Sequence, residues 1–192
     1  MIEVHDALPS SIQDYLEGMV SEIPWRYIDD VSFPQVLPGN HYKQPGFNYT
    51  PMDDGGVFKD WDKYAFLMPM FRDQYIKAYK QKAVNVSPWR LRWGLNIAGD
   101  ALHNNAHVDY TEAISDRIKT NIVCLYYVNS DDGDTFIFNE TAPSTAYNIQ
   151  HQVKAEKGKM VFFNGDYYHA SSPAKSSSAR VVISLNLYEF RW

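Results

Sequence analysis

Two histidines, an aspartate and an arginine are the residues of this chain whose types and order suggest chemistry. His107 and Asp109 lie two positions apart in the run HNNAHVDY, and His169 follows in GDYYHASS. Two imidazoles and one carboxylate form the facial triad that holds non-haem Fe(II) and leaves coordination positions open. Arg180 lies a short distance beyond the second histidine, and an arginine can bind a dicarboxylate through two parallel hydrogen bonds. The four residues predict an iron site with an anion-binding arginine beside it.

The spacing of the metal-ligand candidates fits β-strands. Residues i and i+2 of a strand point to one face, so His107 and Asp109 can bind one metal while Val108 turns into the core. His169 follows the strand-like run KMVFFNGD, and a neighbouring strand can present it to the same metal. The alternative is a hydrogen-bonded surface pair and an unrelated histidine. The presence of Arg180 favours the metal site.

The run ARVVISLNL, which begins with Arg180 at its second position, divides into two faces when it is read as a strand. One face carries Arg180, Val182, Ser184 and Asn186. The other face, predicted to be core, carries Val181, Ile183, Leu185 and Leu187. A buried arginine is unfavourable unless it meets an anion. We expect that anion to be the far carboxylate of 2-oxoglutarate, with Ser184 as a second contact; the alternative is a protein carboxylate.

The elements that must position these residues are mostly strands. Short runs rich in β-branched and aromatic residues alternate with turn signals from Trp89 onward, which predicts an all-β barrel or sandwich. Upstream, Ser10 and Gln13 form a capping-box pattern that predicts a helix. A second helix is predicted from near Pro69 to about Lys82. Residues 32–60 are predicted to be an ordered loop that serves as a lid or as plain packing.

Composition and charge limit the function classes. The chain has 192 residues, 45% hydrophobic and 21% charged, which predicts one globular domain made of a helical cap with loops (1–85) and a jelly-roll core (86–192). The net charge of -5 argues against a strongly basic nucleic-acid binder. Cys124 is the only cysteine, so no intrachain disulfide can form. No secretory signal and no run of about 18 apolar residues is present, so we expect a cytoplasmic location without a membrane.

From about residue 104 to 190, the sequence resembles the Fe(II)/2-oxoglutarate dioxygenases, most closely the prolyl-hydroxylase branch. The matching runs are HVDY, VCLYYVN, DDGDTFIF, VKAEKGKMVFF, HASSPA and ARVVISLNL. The resemblance implies a double-stranded β-helix, which is a cupin-like jelly-roll barrel. The chain departs from the family on the strand before HVDY, where Ile97, with Asn96 beside it, stands in place of a tyrosine.

The same resemblance implies roles for individual residues. The implied Fe(II) ligands, which are also the catalytic set, are His107, Asp109 and His169. The implied contacts to the cosubstrate 2-oxoglutarate are Arg180, Tyr127, Ser184, Leu125 and Thr135. Tyr127 is expected to join Arg180 on the far carboxylate, while Tyr126 points away; the alternative for Tyr127 is simple packing in the barrel. The Asp109 carboxylate favours hydroxylation, because relatives that halogenate lack it.

The implied reaction is hydroxylation of an unactivated C–H bond of a peptidyl, amino-acid or small-molecule substrate, using dioxygen and releasing succinate and CO2. Two alternatives remain at this stage: a nucleic-acid-modifying oxygenase of the same superfamily, and a non-catalytic metal-binding jelly-roll protein. The net negative charge counts against the first, and the complete ligand set counts against the second. Arg90 and Arg92 are expected on a solvated strand face; contact with an anionic or nucleic-acid substrate is the alternative.

Overall fold

The computed structural model describes residues 1–32, 43–54, 56–58, 60–80, 86–109, 118–176 and 179–190. In this part of the chain the helices are α1 (Ser10–Met19) and α2 (Leu67–Ala78), with a short 3-10 helix at Trp61–Lys63. The strands are β1 (Ile2–Val4), β2 (Arg26–Ile28), β3 (Gly46–Asp53), β4 (Gly56–Val57), β5 (Val86–Ile97), β6 (Ile118–Tyr127), β7 (Thr135–Phe138), β8 (Ile149–Val153), β9 (Met160–Asn164), β10 (His169–Ser171) and β11 (Ala179–Phe190).

The strands form a larger and a smaller sheet. Within the described residues, the larger sheet has the order β1-β9-β6-β11-β5-β3-β2, with β4 paired to β3, and the smaller has the order β10-β7-β8. Neighbouring strands of both sheets pair antiparallel. The prediction of a mainly β jelly-roll, the double-stranded β-helix, with helices in the N-terminal part is confirmed. Strands β1 to β4 also join the sheet, and the division near residue 85 stays a prediction.

Strand β11 lies at the centre of the larger sheet, between β5 and β6. Its register places Arg180 opposite Asn96 and Ser184 opposite Arg92 of β5. The apolar face predicted from alternation is buried in the main core, as expected, and consists of Val181, Ile183, Leu185 and Leu187. The opposite face of β11 therefore turns toward the space where the candidate site lies.

The two helices cover the apolar face of the larger sheet. Phe71 and Tyr75 of α2 are buried, and their rings lie 5.7 Å from Tyr126 and 5.6 Å from Phe162, respectively. Leu16 of α1 belongs to the same core. Aromatic packing of this kind fixes the sheet from behind, on the side away from the candidate site. Neither of the helices that the structure describes has the length and apolar composition that crossing a bilayer requires.

The start of α1 differs from the predicted capping box. The helix begins at Ser10 itself, so Pro9 occupies the N-cap position and no side chain caps the helix. The side-chain amide of Gln13 instead donates a hydrogen bond from Nε2 to the Leu8 carbonyl at 2.9 Å. The Pro9 carbonyl accepts the first hydrogen bonds of the helix, from the N–H groups of Ile12 and Gln13. Helix α2 ends at Ala78, and the predicted end at Lys82 lies outside the described residues.

The prediction of a loop over residues 32–60 is wrong for residues 46–53, which form β3, and for residues 56–57, which form β4. Strand β3 pairs with β5, β2 and β4. The sequence GFNYTPMD has the Gly, Asn and Pro that indicate turns, which hid the strand. Pro51 lies where the register with β5 shifts between Tyr49 and Met52, an irregularity at which a strand tolerates a missing N–H. Residues 33–42, 55 and 59 lie outside the described part.

Replacing Phe71 tests the packing that supports the sheet. We expect Phe71→Ala to lower the free energy of unfolding by about 3–5 kcal/mol, because it leaves a cavity beneath Tyr126. The matched control is Phe58→Ala, at a side chain that is 55% exposed, for which we expect a change within about 0.5 kcal/mol. Urea denaturation of the two variants measures the difference. Equal effects of the two changes would contradict the assigned core.

Candidate active site

A short antiparallel bridge brings the two histidines together. The His107 N–H donates to the His169 carbonyl at 3.0 Å, and the His169 N–H donates back to the His107 carbonyl at 2.9 Å. The two imidazole rings lie 4.7 Å apart between their centroids. His169 is the first residue of β10, which pairs with β7 in the smaller sheet. Backbone pairing therefore sets the spacing of the two imidazoles.

Asp109 completes a three-residue cluster. Its Oδ1 lies 3.8 Å from Nε2 of His107 and 3.8 Å from Nε2 of His169, and one ligand atom from each residue lies within 4.8 Å of the others. The Nδ1 atoms lie 3.2 Å from the carbonyls of Asn105 and Tyr167, to which protonated Nδ1 donates. That tautomer leaves both Nε2 lone pairs directed at one point. The donor set and its geometry fit Fe(II).

The Asp109 carboxylate is fixed by two further side chains. Arg90 Nη2 lies 2.7 Å from Oδ1, and Asn186 Nδ2 donates to Oδ2 at 2.8 Å. Asn186 in turn accepts a hydrogen bond from Arg90 Nε at 3.0 Å, which closes a triangle of three residues. Burial alone would raise the pKa of Asp109, but Arg90 and the two histidines hold that pKa well below its usual range. The carboxylate is therefore ionised and held in one orientation.

His107 is held in its neutral form. Burial, and then the neighbouring His169, lower the pKa of His107 from its usual value to about 4, although Asp109 acts in the opposite direction. A neutral imidazole is the form that binds a metal ion. The metal therefore displaces no proton from His107 at neutral pH.

Arg180 is a buried cation that pairs with hydroxyl groups. It is 2% exposed, and its Nη2 donates to Thr135 Oγ1 at 2.6 Å. Thr135 Oγ1 also accepts a hydrogen bond from the Tyr127 hydroxyl at 2.8 Å, and the Arg180 guanidinium lies 5.4 Å from the Tyr127 ring centroid. Arg180 Nε has no partner, and no ion pair joins Arg180 to another described residue. A buried guanidinium with an open donor fits a carboxylate ligand such as that of 2-oxoglutarate.

One cavity joins the metal-ligand cluster to Arg180. Leu125, Thr135 and Ser184 line it, while Tyr127 lies beside Thr135 without lining it. Tyr126 points away into the helix-covered core, as predicted. Ser184 lies opposite Arg92 in the sheet register, four residues along the strand from Arg180. The structure thus brings every predicted site residue to this cavity or its wall; their roles stay predictions.

The expectation that Arg90 and Arg92 lie on a solvated strand face is wrong. The Arg90 side chain is 15% exposed and bound to Asp109, and Arg92 lines the cavity. Alternation along β5 explains this placement, because Leu91 and Trp93, the two neighbours of Arg92 in sequence, are buried in the main core on the other face. The same alternation could have assigned the arginines to the site. Asn186 was placed on the polar face of its strand, but its contact with Asp109 depends on the fold.

The low pKa of His107 gives a testable titration. In metal-free protein, we expect the His107 imidazole to protonate near pH 4 rather than near its usual pH of about 6.5. NMR spectra of the imidazole nitrogens against pH measure the midpoint, with His107→Gln to assign the signal. The unfolded chain takes up this proton first, so His107 makes the free energy of unfolding fall as the pH drops from 6.5 toward 4. A midpoint near 6.5 would show that the ring is not desolvated.

Asn186→Leu tests whether the fixed carboxylate matters for metal binding. We expect the affinity for Fe(II) to fall by roughly 10- to 100-fold, because Asp109 loses the donor to its Oδ2. Anaerobic competition with a coloured chelator measures the affinity. Asn121→Leu is the matched control, because Asn121 is equally buried on the neighbouring strand β6 and bonds Trp89 instead. Equal iron affinity in the two variants would show that Asn186 does not contribute to metal binding.

Several solved structures share this fold. An oxidoreductase of the 2OG-Fe(II) oxygenase family from Burkholderia pseudomallei is 9% identical, with a TM-score of 0.67, 97% of this chain covered and 84% of that one. A prolyl-4-hydroxylase from Pseudomonas putida is 16% identical, with a TM-score of 0.54 and coverages of 100% and 92%. An alpha-ketoglutarate-dependent carbocyclase from nogalamycin biosynthesis is 10% identical, with a TM-score of 0.68 and coverages of 97% and 78%. At these identities the likeness establishes the fold alone.

A comparison by sequence identifies the family. The chain matches no curated protein sequence. A family model described as "2OG-Fe(II) oxygenase superfamily" matches residues 93–188, which is half of the chain and includes the complete metal-ligand cluster and Arg180. The chain therefore belongs to the 2OG-Fe(II) oxygenase superfamily, whose members require Fe(II) and 2-oxoglutarate.

Proposed function

We propose that the protein is a dioxygenase that hydroxylates an unactivated C–H bond of a peptidyl, amino-acid or other small-molecule substrate and releases succinate and CO2. One observation carries the proposal. The described residues place a His-Asp-His cluster and a buried arginine without a protein counter-ion in the same cavity. A metal site without catalysis has no need of the second feature, whereas a reaction that consumes a dicarboxylate needs both.

The chain's own residues would bind and orient the reactants. His107, Asp109 and His169 would hold Fe(II), which supplies dioxygen activation when bound. Arg180 would hold the far carboxylate of 2-oxoglutarate. Thr135 accepts hydrogen bonds from both Arg180 and Tyr127, so its own hydroxyl hydrogen is left to donate to that carboxylate. Fixing the cosubstrate at both ends sets its approach to the metal.

The inward position of the β5 arginines bears on the nucleic-acid alternative. Arg90 and Arg92 were the residues that offered a local basic patch with stacking tryptophans. Arg90 is bound to Asp109, and Arg92 lines the cavity. With both arginines turned inward and a net charge of -5, a small or peptidyl substrate is the better-supported class. The cytoplasmic location stays a prediction.

Anaerobic titration of metal-free protein with Fe(II) and then 2-oxoglutarate tests the proposal. We expect a visible charge-transfer band in the wild type and none in His107→Ala, which lacks one imidazole ligand. Asp109→Ala should also abolish oxygen uptake that depends on 2-oxoglutarate, because the metal loses its carboxylate. The absence of the band from folded, metal-loaded wild-type protein would make a non-catalytic barrel the leading account.

The same titration separates the cosubstrate site from the metal site. Arg180→Gln should weaken 2-oxoglutarate binding by roughly tenfold or more while leaving Fe(II) affinity intact, because it removes a charge-assisted contact. Arg72→Gln, at an exposed position on α2, is the matched control and should bind both as the wild type does. Unchanged 2-oxoglutarate affinity in Arg180→Gln would remove Arg180 from this role.

A further inference from the structure

Arg92 is a second arginine of the cavity whose charge the fold leaves unpaired. It lies on the inward face of β5, opposite Ser184 of β11, and lines the same cavity as the metal-ligand cluster. Its neighbour on that face, Arg90, is committed to Asp109 and Asn186. Within the residues that the structure describes, Arg92 has neither an ion pair nor a hydrogen bond from its side chain.

The surroundings of Arg92 are unfavourable to a lone cation. Burial, and then the nearby Arg90, lower the pKa of Arg92 to about 10, although Asp109 and Asp53 act in the opposite direction. Arg92 forms a salt bridge with neither of those two carboxylates. It is still charged at neutral pH and only partly exposed, and no described side chain pairs with it, so an anion that enters the cavity would offset its charge.

The total charge of the cavity, with metal and cosubstrate bound, also favours a further anion. Arg90, Arg92 and Arg180 bring three positive charges, and Asp109 brings one negative charge. Fe(II) adds two positive charges, and 2-oxoglutarate adds two negative charges. A net of two positive charges therefore remains after the metal and the cosubstrate are bound, and a bound anion would offset part of it.

Arg92 and Arg180 lie at different positions along the sheet within the same cavity. In the β5–β11 register, Arg180 aligns with Asn96 and Arg92 aligns with Ser184, a separation of four residues on each strand. At roughly 3.3 Å per residue their backbones are about 13 Å apart. Arg92 lies two residues along β5 from Arg90, which binds Asp109, so Arg92 lies on the metal side of the cavity.

We propose that Arg92 binds a carboxylate of the molecule that is oxidised. The Ser184 hydroxyl, expected from the sequence to contact the cosubstrate, lies opposite Arg92 and joins it in this contact instead. The substrate is then an organic acid, such as an amino acid or a peptide with a free carboxylate, rather than a neutral internal peptide segment. Arg92 holds the acid group, and the C–H bond to be oxidised lies between it and the metal. This inference rests on the proposed function, because it names the substrate class of the same site.

The first experiment tests whether Arg92 binds the substrate or the cosubstrate, because the C1 carboxylate of 2-oxoglutarate is also an anion in this cavity. In Fe(II)-loaded protein without oxygen, Arg92→Gln should bind 2-oxoglutarate within about threefold of the wild type, with the same charge-transfer band. A loss like that expected for Arg180→Gln would assign Arg92 to the cosubstrate and would overturn the proposal. Arg72→Gln is again the exposed control.

The second arm measures preference for acids directly. The probes are acetate against acetamide and N-acetylglycine against N-acetylglycinamide, titrated at constant ionic strength into the Fe(II) and 2-oxoglutarate complex. Trp93, next to Arg92 in sequence, and Trp89, three residues before it, provide a fluorescence readout that requires no turnover. We expect the acids to bind roughly tenfold more tightly than the amides in the wild type and in Arg72→Gln. The preference should vanish in Arg92→Gln and persist in part in Arg92→Lys.

A third titration keeps failure of the inference distinct from failure of the proposed function. The same probes are added to metal-free Arg180→Gln protein, in which neither iron nor Arg180 can hold an acid and Arg90 is bound to Asp109. A preference for acids that depends on Arg92 should persist there even if no iron–cosubstrate complex forms in the wild type. Equal binding of acids and amides to the wild type, or a preference that survives Arg92→Gln, refutes the role of Arg92.

Discussion

The backbone bridge between His107 and His169 is the interaction on which the rest of the site depends. Two reciprocal N–H to carbonyl hydrogen bonds join the segment before Asp109 to β10 of the smaller sheet. Both imidazoles are therefore attached to a rigid backbone pair, and their Nδ1 donors go to backbone carbonyls of the same two segments. The metal-ligand geometry thus exists before any metal binds, which reduces the ordering that binding must supply.

Strand alternation places charge in the cavity and hydrophobic side chains behind it. On β5, Leu91 and Trp93 are buried in the main core, while Arg92 lines the cavity and Arg90 binds Asp109. On β11 the same alternation turns Arg180, Ser184 and Asn186 inward. A protein of net charge -5 consequently carries a local excess of positive charge around its metal site. The dicarboxylate cosubstrate that the family requires would offset part of that excess.

The sequence predicted the parts of the site that depend on residue type and strand periodicity. Residue chemistry and the two-residue alternation of a strand predict the metal-ligand cluster, Arg180 and the inward face of β11. These predictions need no knowledge of which strands pair. The Arg90–Asp109–Asn186 triangle joins residues of separate segments through sheet register, which a single sequence does not state. Strand β3 was missed for a different reason: it pairs beside β5 despite carrying Pro51 and other turn formers.

Register also connects the two ends of the cavity. Arg180 and Arg92 lie on adjacent strands whose pairing is continuous from Ala179 to Asn186, so their separation is set by hydrogen bonds of the ladder. Asp109 is anchored to the same two strands, through Arg90 on β5 and Asn186 on β11. A shift of one residue between these strands would turn the inward side chains of one strand toward the core and would separate Arg90 from Asn186. The β5–β11 pairing therefore fixes the relative positions of the Asp109 carboxylate, the expected cosubstrate contact of Arg180 and the proposed acid contact of Arg92. If Arg92 binds the acid group of the substrate as proposed, this fixed backbone spacing selects substrates by the distance from acid group to reacting carbon.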